Sequence, residues 1–106
     1  MTAVASPPRL TPVEQQLVER YATLRARYRR LNAAEDRAFA AFMSGTGPRS
    51  SVRSAASRVN RISPDVASAS DDVYSVIDRL VESARLPAVY HYDVDRFVDE
   101  ILQEGS

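Results

Sequence analysis

Between Pro12 and Gly45 the chain runs for 32 residues without a proline or a glycine. Strands in globular proteins average about 5–6 residues, so a run of this length is a helix or nothing regular. Its apolar residues agree. Leu17, Tyr21, Leu24, Tyr28, Leu31, Ala38 and Phe42 step by four and three, with one interruption at Glu35, and Val13 and Phe39 widen the stripe. Thr11 is placed to cap the N-terminus, Pro12 suits the first helical position, and Glu14 completes a capping box. The stop signal is Gly45-Thr46-Gly47-Pro48. A helix over residues 12–43 is about 48 Å long at ~1.5 Å per residue. A chain of 106 residues accommodates that length only if the rest packs back along it.

The rest has the pattern to do so. Val52, Ala55, Ala56, Val59 and Ile62 fall within one helical arc. Ser63-Pro64-Asp65 repeats the cap-then-proline signal, so this helix is expected to end or kink there. A further stripe follows through Val66, Val73, Val76, Ile77, Leu80, Val81 and Ala84, and Leu86-Pro87 closes it. Residues 88–92 are too short and too aromatic for an α-helix and read as an extended strap. Asp93 then caps a last helix with the stripe Val94, Phe97, Val98, Ile101 and Leu102. The expected fold is all-α: a long helical hairpin, with one helix of about residues 12–43 and a kinked arm of about 50–85, plus a short C-terminal helix of about 93–103. Residues 1–10, with Ser6-Pro7-Pro8, read as a flexible arm, and residues 11–106 as one helical domain. So thin a bundle points to completion by oligomerisation. The seam for it is Leu17, Tyr21, Leu24, Tyr28, Leu31, Glu35, Ala38 and Phe42. Glu35 at its centre is either a polar residue that fixes register or one exposed by drift of the seam.

Composition narrows the chemistry. Cysteine and lysine are absent, all 14 basic residues being arginine, so thiolate, Schiff-base and P-loop lysine chemistry are excluded. His91 is the single histidine, which leaves no multi-histidine metal site in one chain and makes a Ser-His-Asp triad depend on that residue alone. The loop at Gly45–Ser51 lacks the Gly-Lys-Ser/Thr of a phosphate loop, so it reads as a plain helix–helix turn. Asp95 and Asp99, spaced i,i+4 near His91 and Asp93, have no calcium-loop spacing and read as a solvated acidic face. No catalytic residue, metal site, cofactor or small-molecule substrate is expected. No apolar run reaches the ~20 residues of a membrane span, the N-terminus has no secretory h-region, and the expected setting is cytoplasmic.

Charge is the remaining signal. The net charge is zero, but residues 1–62 carry eleven arginines against four acids and residues 63–106 three against ten. Such halves either neutralise each other, within or between chains, or leave a basic surface for nucleic acid. The arginines available for phosphate contacts are Arg49, Arg53, Arg58 and Arg61. A helix-turn-helix is disfavoured, because its recognition helix would expose Asp65, Asp71, Asp72, Asp78 and Glu82 to phosphates. The expected function is therefore a non-enzymatic helical interaction or assembly protein: an adaptor, regulatory subunit or component of a larger complex. It would act through coiled-coil-like oligomerisation, as a homo-oligomer with a larger protein partner. The alternative is a small nucleic-acid-associated regulator, antitoxin- or repressor-like, with a basic N-terminal half and an acidic, protein-binding C-terminal half.

Overall fold

The structure, a computed structural model, describes residues 8–104. It is a hairpin of two long helices, α1 (Pro12–Met43) and α2 (Arg49–Glu82), followed by a 3₁₀ turn (Ala88–Tyr92) and a short helix α3 (Val94–Glu104). The expected all-α hairpin with a short third helix is what forms. Of the expected N-terminal arm, residues 1–7 lie outside the described residues. Leu10 already packs against the core, and the Arg9 carbonyl accepts a bond from Arg85 Nη1 at 3.5 Å.

Local chemistry sets each boundary. The Thr11 hydroxyl accepts from the Glu14 N–H at 3.2 Å, and the Thr11 N–H donates to Glu14 Oε1 at 2.9 Å. Both halves of the capping box therefore form. Glu14 is 3% exposed and is also held by the Arg79 guanidinium. Burial pushes its carboxyl up, but the Thr11 backbone bond and Arg79 together outweigh that and hold it below the ordinary value. At the other end Gly45 sits at φ +80. The Thr46 N–H returns to the Ala41 carbonyl at 2.8 Å and the Gly45 N–H to Phe42 at 3.1 Å, a Schellman stop. Gly47 is held close as well, since a Cβ there would meet the Ala41 Cβ at 3.0 Å.

One expectation is resolved and one is corrected. Of the two outcomes expected at Ser63-Pro64, an end or a kink, the helix does not end: α2 is one arm that runs through it from Arg49 to Glu82. The buried residues Val59, Ile62, Ala69 and Val73, with half-buried Val66 between them, keep helical phase across the proline. Pro64 itself is exposed. The Asn60 carbonyl that loses its usual N–H partner therefore belongs to a solvent-facing turn. Ser63 Oγ donates to the Val59 carbonyl at 3.0 Å one turn back. Residues 88–92 are not an extended strap but a 3₁₀ helix, closed by Tyr90 N–H to Pro87 and Asp93 N–H to Tyr90, both at 3.2 Å. Five extended residues would reach about 16 Å, too far when Leu86 and Val94 both belong to one core cluster.

That cluster lies at one end of the molecule. It joins Val18 and Tyr21 of α1, Ala69 to Leu80 of α2, Leu86, and Val94, Phe97, Val98 and Ile101 of α3. Its outermost members toward the turn are Leu24 and Val66. Beyond them only Ala55, Val59 and Ile62 are buried, all on α2. The molecule measures 54 × 31 × 23 Å with a radius of gyration of 17.8 Å, against about 13 Å for a compact chain of this length. We call the three-helix end the base and the two-helix end, residues 27–62, the tip.

Helix α2 stops on a second Schellman motif, with Arg85 N–H to Leu80 at 2.9 Å and Ala84 N–H to Val81 at 3.0 Å. Here the left-handed position is filled by Ala84 at φ 59, which costs an alanine about 1 kcal/mol. Ala84→Gly should therefore raise the melting temperature by several degrees. A fall on differential scanning calorimetry would contradict this reading of the stop.

Candidate interaction surface

Helix α3 shows how this fold holds an added helix. Its apolar face buries Val94, Phe97, Val98 and Ile101, and Tyr90 of the 3₁₀ turn meets the Phe97 ring edge-on at 6.2 Å. Its acidic edge is clamped by α1. Arg25 donates from Nη1 to Asp95 at 2.8 Å and from Nη2 to Asp99 at 2.6 Å, and the Tyr21 hydroxyl donates to Asp95 at 2.9 Å. The Arg25 guanidinium also lies 5.7 Å from the Tyr21 ring centroid. The Asp95–Asp99 pair is thus held by a guanidinium, and among the described residues no cluster suited to a metal ion forms.

The proton energetics follow from the burial. Desolvation, and then the Asp95 carboxylate it bonds, push the Tyr21 hydroxyl up to about 12. Burial pushes Asp95 up too, but the Arg25 and Tyr21 hydrogen bonds outweigh it and hold the carboxyl below its ordinary value. Tyr90 is raised by its bond to the Glu100 carboxylate, then by burial.

The expected seam divides along its length. Leu17, Tyr21 and Leu24 pack in or against the core of their own chain. Tyr28, Leu31, Glu35 and Ala38 are half-buried and Phe42 is exposed. Tyr28, Glu35 and Phe42 stand one, two and three heptads beyond Tyr21, and Phe39 two heptads beyond Arg25. They therefore continue, with a drift of about 20° per heptad, the edge of α1 that α3 covers at the base. At the tip nothing described covers it. Phe39, Phe42 and Met43 are exposed there, and Val52 and Ala56 of α2 are half-buried.

The tip is also where the arginines collect. Arg27, Arg29, Arg30, Arg37, Arg49, Arg53, Arg58 and Arg61 are all exposed, against Glu35 and Asp36 as the only acids of residues 27–62, a net +6. Among the described residues the ion pairs are Arg20–Asp72, Arg25 with Asp95 and Asp99, Arg79–Glu14 and Arg96–Glu100, and His91 Nδ1 lies 2.8 Å from Asp78. None of the eight tip arginines takes part, although Arg29 lies near enough to Asp95 to help lower its carboxyl. Neutralisation of Arg49, Arg53, Arg58 and Arg61 by described acids of the same chain does not occur, because the hairpin lays basic α1 against basic α2. These four spread over roughly half the circumference of α2 at ~100° per residue. The turn cannot add a phosphate cradle, since the Thr46 and Gly47 N–H groups are both spent on the Ala41 carbonyl. No helix among the described residues is long and apolar enough to cross a membrane.

Comparison with known protein families, with curated proteins and with solved structures returns no match. The functional reading rests on the geometry.

The proton held by Tyr21 makes a test of the α3 clamp. The unfolded hydroxyl loses its proton near pH ~10 and the folded one near 12. The contribution is full below pH ~10 and is lost as pH rises through 12. Asp95 acts in the opposite sense: its contribution is present above pH ~4 and lost as pH falls through its lowered value. Tyr21→Phe should cost about 1 kcal/mol at neutral pH and flatten part of the decline between pH 10 and 12. Tyr90 keeps the remainder. Urea midpoints across that range give the answer, and an unchanged alkaline slope would show that the hydroxyl is not so held.

Proposed function

We propose that this chain is a non-enzymatic helical interaction protein whose tip half works by being covered by a protein partner. Adaptor, regulatory subunit and component of a larger assembly are the roles that such an object serves. The observation that carries the reading is the tip itself: eight exposed arginines with no described ion-pair partner, on a two-helix arm that also exposes Phe39, Phe42 and Met43. Like charges on paired helices repel, and half-buried aromatic and aliphatic groups retain apolar surface to lose. Both costs fall when an anionic, partly apolar surface docks. An exposed salt bridge gives only ~0–1 kcal/mol, so the exposed apolar groups supply the affinity and the arginines select the partner.

The same arginines favour a second reading, contact with the phosphates of nucleic acid in an antitoxin- or repressor-like regulator. Their spread around α2 supports it less well than a single stripe would.

Affinity capture from the source cells separates the two. The wild type should retain a protein in near-stoichiometric amount, with or without nuclease. A variant carrying Arg49→Ser, Arg53→Ser, Arg58→Ser and Arg61→Ser should lose it while keeping its helical content. Loss on nuclease treatment would move the assignment to nucleic acid, and equal capture by both forms would defeat the role of the tip.

A further inference from the structure

The molecule is a dipole with a step in it. The tip carries +6, and the rest of the chain holds six arginines against twelve acids, a net −6. The two charges lie at opposite ends of a 54 Å body, so their centres are separated by several Debye lengths of ~8 Å and salt screens each from the other. The step is α3. It adds a third helix to one face at the base and leaves a notch on that face at the tip. At ~1.5 Å per residue the notch along residues 27–43 is about 25 Å long and α3 about 16 Å.

The exposed apolar groups follow the same division. Phe39, Phe42 and Met43 are exposed at the tip, Met43 at 68%. At the base Val89 and Tyr92 are exposed on the 3₁₀ turn, Tyr92 at 89%. That turn is tied to α2 through His91 and Asp78 at 2.8 Å, and Tyr74, one turn before Asp78, is exposed too. One end thus offers apolar groups in a basic surround and the other offers them in an acidic surround.

We infer that the tip is covered by a second copy of this chain, in an antiparallel two-fold dimer on the face that carries α3. Each copy's α3 end enters the other's notch, and each tip lies on the other's base. This rests on reading the tip as a docking surface and names its occupant. A two-fold axis makes the contact occur twice, tip on base and base on tip, so one surface satisfies both charges. A tip-to-tip pairing would instead set +6 against +6. The aromatic and aliphatic groups of the two ends meet in the same step, which supplies the desolvated centre that a stable interface needs. Glu35 and Asp36 also lie on the tip, so the pairing depends on Arg29, Arg49 and Arg53 outnumbering them along the notch.

The test uses two charge variants of the full chain. The tip variant is Arg49→Glu with Arg53→Glu, and the base variant is Asp71→Arg with Glu82→Arg. All four residues are exposed, and among the described residues none forms an ion pair. By sedimentation equilibrium the wild type should show about twice its 11.8 kDa mass, with a dissociation constant that weakens as salt is raised. Each variant alone should dimerise at least about tenfold more weakly at unchanged helicity, since the tip falls from +6 to +2, or the base from −6 to −2, in both contacts. Mixed one to one, they should recover affinity to within about threefold of wild type, because one contact is again the native +6 on −6 and the other sets the introduced acids against the introduced arginines. A monomeric wild type, a base variant that dimerises normally, or a mixture that stays monomeric would each overturn the proposal. If the wild type is monomeric yet the arginine-to-serine variant loses its captured partner, the occupant is another protein and the functional reading stands. If the variant loses nothing, both are wrong.

Discussion

Folding the chain back at Ser44–Gly45 stacks residues 27–43 on residues 49–62, and both segments are rich in arginine and poor in acid. Every other property of the molecule follows from that pairing. The acids that balance these arginines lie mainly in the second half of α2 and in α3, which the hairpin places at the opposite end. The chain is neutral as a sum and charged at each end.

Stability is divided along the same axis. At the base three helices bury a shared cluster, and its polar edges are tied by Glu14 to Arg79 and by Arg25 to Asp95 and Asp99. The Glu14 link joins the first turn of α1 to the last turns of α2, so the N-terminal cap and the tertiary contact are one arrangement. At the tip only two helices meet: Ala55, Val59 and Ile62 are buried, Tyr28, Leu31, Ala34, Ala38 and Ala41 half-buried, and small residues predominate toward the turn. Small side chains let the helices approach but bury little apolar area, and the stabilisation scales with area. The hairpin is held from the base and extended from there.

Much of this was legible from residue order. The Thr11-Pro12-Glu14 start and the Gly45 stop gave the bounds of α1, because capping and left-handed glycine are local chemistry. Pro64 left an end and a kink both open, because its cost is local while the burial that carries the helix through it is not. The phase of Val59, Ile62, Val66 and Ala69 across it was the available sign. The first three members of the α1 seam, Leu17, Tyr21 and Leu24, pack within the chain, which periodicity alone does not reveal. Arg25 was unremarkable among its neighbours. Its role emerges only when α3 brings Asp95 and Asp99, themselves one turn apart, across from Tyr21 and Arg25, also one turn apart. The open tip was legible only as an imbalance of charge between halves. Which charges meet is a property of topology.

The central claim is that the tip is an unfinished surface completed by assembly, and hydrogen–deuterium exchange across a range of protein concentration tests it most directly. In dilute solution, amides of residues 27–43 and 49–62 should exchange well ahead of those of residues 14–24 and 69–80, because the tip opens without disturbing the base. Raising the concentration should slow exchange at the tip by at least about tenfold and leave the base little changed. Uniform protection along both long helices, independent of concentration, would show that the tip is complete in the single chain and would contradict the account.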